Sequence, residues 1–69
     1  MSIRTFGRLR EQIKNVFGTQ KAFADAIGMN VSTLNAKLNS KAVWDLDEIK
    51  KACALLDISN NDMLLYFFY

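Results

Sequence analysis

Thr19-Gln20-Lys21-Ala22-Phe23-Ala24-Asp25-Ala26-Ile27-Gly28-Met29-Asn30-Val31-Ser32-Thr33-Leu34-Asn35-Ala36-Lys37-Leu38-Asn39 decides the fold of this chain. Thr19 can cap a helix by accepting a hydrogen bond from a free backbone N–H, and the run behind it places Phe23 and Ile27 four residues apart. Ala22 and Ala24 allow close approach. Gly28 supplies a turn, and Asn30 can cap a second helix in which Val31, Leu34 and Leu38 recur at spacings of three and four. Helices are therefore expected over Gln20–Ala26 and Val31–Leu38. Phe23, Ile27, Met29 and Leu34 hold the pair together, with Ala24 where they cross. A short turn and a tight contact of this kind make a helix-turn-helix, whose second helix is held at a fixed angle. Its polar side carries Ser32, Thr33, Ala36 and Lys37, with Asn35 and Asn39 at the edge of the apolar stripe.

The flanks extend the helical reading. Phe6, Leu9, Ile13 and either Val16 or Phe17 form one face of a helix over Thr5–Phe17, with Arg8, Arg10, Glu11 and Lys14 opposite. Gly18 can end it in a left-handed conformation. Asn39-Ser40-Lys41 reads as a linker. Asp45 followed by Glu48 is the Asp form of a capping box, opening a helix over Leu46–Leu56 that buries Leu46, Ile49, Cys53 and Leu56. A fifth helix is expected after Ser59, which has Asp62 three positions on. Trp44 reads as a lid on the core, and Met63–Tyr69 is the most apolar stretch. The chain lacks proline, so the expectation is one all-α, five-helix, helix-turn-helix domain over residues 1–69.

Composition excludes several classes of function. With 69 residues, 51% hydrophobic and 23% charged, and a mean hydropathy of +0.01, the chain reads as an ordinary globular domain. No apolar run approaches the roughly 20 residues of a membrane span. The start, Met1-Ser2-Ile3-Arg4-Thr5, lacks the features of a secretory signal, so a cytoplasmic protein is expected. Cys53 stands alone and reads as a buried small hydrophobe. Without histidine there is no basis for a zinc site or a histidine base. Gly7, Gly18 and Gly28 are too far apart to share a phosphate loop. No enzymatic activity, cofactor, metal, membrane association or small-molecule substrate is expected. Charge is polarised: residues 1–41 hold seven bases against two acids, a net +5, and residues 42–69 hold two bases against five acids, a net −3. One face can thus be presented to phosphates.

Thr19-Gln20, Ala24 four residues after Gln20, Gly28 in the turn and Ser32-Thr33-Leu34 in the second helix make the motif specific. Together they resemble the Cro and repressor family of lambdoid phages, also called the xenobiotic-response-element family. Leu46-Asp47-Glu48-Ile49 and Leu55-Leu56-Asp57-Ile58-Ser59 extend the likeness over almost the whole domain. The resemblance implies a sequence-specific transcriptional regulator on double-stranded DNA, its helix Val31–Leu38 lying in the major groove of a palindromic operator. Ser32 and Ala36 match positions that read base edges, with Thr33 and Asn35 as auxiliary contacts. Gln20 and Asn39 match phosphate contacts, and Lys21, Lys37 and Lys41 are further phosphate candidates. Val31 stands where the family often has a glutamine or arginine making a base contact. If Val31 faces the core, reading passes to Ser32, Thr33, Asn35 and Ala36. Lys37 stands where the family often has a buried aliphatic residue, a role expected to pass to Leu38. A homodimer on DNA is expected through Leu64, Phe67 and Phe68, because one recognition helix contacts too few base pairs to select a site alone. The rival expectation is a protein-binding regulator of the antirepressor or antitoxin kind, which sequesters another transcription factor.

Overall fold

The computed structural model describes residues 6–68, which form five α-helices with no strand among them. They are α1 (Gly7–Phe17), α2 (Gln20–Ile27), α3 (Val31–Leu38), α4 (Leu46–Leu56) and α5 (Met63–Phe67). The all-α, helix-turn-helix fold class read from the sequence is the one observed. Several boundaries have a local cause. Phe6 sits in the left-handed region ahead of α1, whose expected first residue, Thr5, lies outside the described residues. Thr19 Oγ1 accepts from Ala22 N at 3.1 Å, and Asn30 Oδ1 accepts from Ser32 N at 2.8 Å. Both caps satisfy backbone donors that the first turn leaves free. Gly28, at φ 77, closes α2 by donating its N–H to Ala24 O and Asp25 O. That left-handed conformation favours glycine. At α4 the capping box is complete: Glu48 N donates to Asp45 Oδ1 at 2.8 Å, and Asp45 N donates to Glu48 Oε1 at 3.0 Å.

The core is one cluster drawn from every helix. Leu9 and Ile13 of α1, Phe23, Ala24 and Ile27 of α2, Leu34 and Leu38 of α3, and Ile49, Ala52, Cys53 and Leu56 of α4 are all buried. Phe6 and Trp44 pack with ring centroids 6.5 Å apart, and Trp44 meets Phe67 edge-on at 5.1 Å, so Trp44 closes the core as expected. Burial also pushes the Cys53 thiol up from its ordinary range, in keeping with its reading as a small apolar residue. At the end of α1 it is Phe17, packed on Phe23 at 5.4 Å, that turns inward, while Val16 is exposed.

Two expectations are corrected. Leu46, the first residue of α4, is 59% exposed, and the buried face of that helix is made by Ile49, Ala52, Cys53 and Leu56. The fifth helix begins at Met63 rather than directly after Ser59. Asp62 N donates to Ser59 O and Met63 N to Asn60 O, so residues 60–62 are turns.

Polar side chains of α1 tie the carbonyl ends of two other helices. Gln12 Nε2 donates to Leu56 O at 2.8 Å, and Arg10 Nη2 donates to Leu38 O at 2.8 Å. Each occupies an orphan carbonyl at a helix C-terminus. Among the described residues, no helix is long and apolar enough to cross a membrane.

Candidate nucleic-acid interface

α3 is eight residues long, and its burial pattern divides it sharply. Leu34, Lys37 and Leu38 are buried, whereas Val31, Ser32, Thr33, Asn35 and the capping Asn39 are exposed and Ala36 is half-buried. Val31, Asn35 and Asn39 recur every four residues and so lie in one row along the helix, with Ser32 and Ala36 in the adjacent row. Val31 is 42% exposed, so it stands with this face rather than in the core. The five residues expected to read bases therefore share one side of α3, with Thr33 at its margin.

Hydrogen bonds order part of that side. Arg10 Nη2 donates to Asn39 Oδ1 at 2.7 Å, and Asn39 Nδ2 donates to Asn35 Oδ1 at 3.2 Å. Arg10 and Gln12 were not among the residues singled out from the sequence. Both are half-buried at the edges of the apolar face of α1, where long side chains look like ordinary surface groups until a neighbouring helix end is known to be within reach.

The residues expected at phosphates separate into two groups. Gln20 is the first residue of α2 and half-buried, and Lys41, just past the end of α3, is exposed. Lys21 is exposed and pairs with Asp25 one turn on, at 3.2 Å. A pair so exposed is screened by water and leaves the lysine available to other anions.

Lys37 is a correction. It is 7% exposed, and its ammonium donates to Glu48 Oε1 at 2.8 Å and to Val43 O at 2.7 Å, 5.9 Å from the centre of the Trp44 ring. Its charge is spent inside the domain, joining α3 to the loop before α4 and to the capping box. It does not stand with the exposed side of α3. Leu38 is buried as expected, but beside Lys37 and not in its place.

At the other end of the chain, Leu64 (59%) and Phe68 (46%) are exposed. Phe67 is corrected: at 3% exposure it belongs to the core against Trp44. Phe68 borders an open hollow of about 150 Å³ lined also by Val43, Trp44 and Phe6. A second hollow, of about 250 Å³, lies beside the turn at Gly28 and Met29 and is lined by Asp45, Asp47, Glu48 and Lys51. Its acids crowd the positive end of α4, which they suit, and would repel a phosphate.

Against known families, the chain matches one over residues 1–69, described as protein of unknown function (DUF739), and it belongs to that family. No curated protein matches it.

Proposed function

We propose that this member of the family is a sequence-specific DNA-binding regulator of the Cro and repressor kind, acting in the cytoplasm as a two-fold pair on double-stranded DNA. The observation that carries the reading is the division of α3. One side is locked into the core by Leu34, Lys37 and Leu38, and the other offers Val31, Ser32, Asn35 and Ala36 side by side on a rigid element. A helix held in this way can enter the major groove, where small and amide side chains reach base edges. Gln20 at the start of α2, Asn39 at the end of α3 and Lys41 beyond it bracket the helix with groups suited to phosphate oxygens. The basic balance of residues 1–41 favours approach to a polyanion. No catalytic step or cofactor belongs to this reading.

Pairing would use the exposed Leu64 and Phe68, with Val43 across the same hollow. An isologous contact of this kind sets two recognition helices against half-sites about 34 Å apart. The test is titration of the protein against duplexes selected from a randomised library and against unrelated duplexes, at several salt concentrations. The reading expects a preferred palindrome, an affinity that falls linearly in log–log form with salt, and a full-site advantage lost when Leu64 and Phe68 are replaced by serine. Equal, weak binding to every duplex would refute it.

A further inference from the structure

The hydrogen bonds running from α1 to the exposed side of α3 have a direction that chemistry imposes. A guanidinium has donors and no acceptor, so the atom of Asn39 that meets Arg10 Nη2 at 2.7 Å must be its oxygen. The amide nitrogen of Asn39 is then the atom directed at Asn35. A nitrogen donor requires an oxygen acceptor, so Asn35 meets it through Oδ1, at 3.2 Å. Either amide taken alone could be turned over, exchanging N for O. Linked to Arg10, neither can be turned without setting donor against donor. The anchor is firm, because Arg10 Nη2 also holds Leu38 O at 2.8 Å and the arginine is half-buried.

The far end of this relay is the NH₂ group of Asn35, in the middle of the side that reads DNA in the proposed function, on which this inference rests. An asparagine with a free amide commonly reads adenine by a bidentate contact that needs both its oxygen and its nitrogen. Here one lone pair of that oxygen is taken by Asn39, which turns the oxygen toward α1 and the nitrogen away from it. We propose that Arg10, acting through Asn39, turns the NH₂ of Asn35 to the DNA as its leading group, so that the base it favours is one whose major-groove edge offers acceptors without a facing donor: guanine through N7 and O6, or thymine through O4, over adenine, which sets its N6 donor beside N7. Asn35 is the specificity-determining residue, and Arg10 and Asn39 are positioning residues that set its polarity.

The experiment is selection of binding sites from a randomised duplex library by the full chain, its Asn35→Ala variant and its Asn39→Ala variant. Both substitutions are at exposed positions, and Arg10 keeps its bond to Leu38 O in each. The position whose preference relaxes in Asn35→Ala is the one Asn35 reads. In the unaltered chain that position is expected to carry guanine or thymine, with adenine disfavoured by roughly tenfold. In Asn39→Ala, where the oxygen of Asn35 is released, adenine should rise to within about twofold of the preferred base. Loss of a phosphate contact by Asn39 would weaken all sequences alike and leave that ratio unmoved. Adenine already preferred in the unaltered chain, a ratio unchanged in Asn39→Ala, or an Asn35→Ala variant that loses affinity evenly on every duplex would overturn the relay while leaving DNA binding intact. Failure of the unaltered chain to enrich any sequence would remove the DNA-binding reading and the relay with it.

Discussion

Replacing Lys37 by methionine separates the two roles that a lysine on α3 can have: a structural one, and the phosphate contact that the proposed function would give it. Methionine keeps the length and apolar packing of the stem beside Trp44 and deletes only the ammonium with its bonds to Glu48 and Val43 O. Breaking a buried pair by removing one partner costs about 3–5 kcal/mol, because the remaining charge is stranded. Glu48 keeps a quarter of its side chain in water and still accepts from Asp45 N, so the lower end, about 3 kcal/mol, is expected. In a domain of this size 1 kcal/mol moves the melting temperature by roughly 4–8 °C, which places the fall at about 12–24 °C. Thermal unfolding followed by circular dichroism measures it. A double-mutant cycle with Glu48→Gln, which preserves the capping bond, should show a coupling of more than about 1 kcal/mol. The log–log salt slope of DNA binding, taken below the melting transition, should not change. An unchanged melting temperature together with a slope reduced by about one unit would return Lys37 to the phosphates and refute the reasoning.

Further outcomes follow from the same structure. Lys41→Ala is expected to reduce the salt slope by about one unit while Gln20→Ala weakens binding without altering it, since only the lysine displaces a counterion; titration at graded salt separates them. Gly28→Ala should destabilise the domain by about 1 kcal/mol in denaturant unfolding: no atom lies within 4 Å of the added Cβ, so the cost is conformational, from φ 77 alone. Asn30→Ala should cost about 1 kcal/mol through loss of its bond to Ser32 N, and the same melts would show it. Because burial raises the Cys53 thiol pKa in the folded state, the native protein holds that proton longer than the unfolded chain does. The contribution of Cys53 to stability is therefore full below the ordinary thiol range and is lost as pH rises through the folded value, a decline that Cys53→Ala should remove from the pH–stability profile.

Local chemistry decided a large part of this molecule. The caps Thr19, Asn30 and Asp45 and the turn at Gly28 define where α2, α3 and α4 begin and where α2 ends, and each acts within a few residues of itself. The spacing of Phe23, Ile27, Leu34 and Leu38 likewise determined which residues share a face, because the helical period is a property of the backbone. What periodicity leaves open is how wide the buried face is. Lys37 lies three residues after Leu34 and could have been either the edge of the core or the start of the surface. Only the approach of α4, with Glu48 and the Val43 carbonyl waiting at 2.8 and 2.7 Å, made an interior position tolerable for its charge. Phe67 and Phe68 are equally apolar and adjacent, yet Trp44, more than twenty residues earlier, takes one into the core and leaves the other outside. Arg10 and Asn39 are joined across 29 positions of chain, a pairing no local pattern contains. Sequence settles what each segment becomes, whereas the partner of a long polar side chain depends on which helix ends the packing brings within its reach.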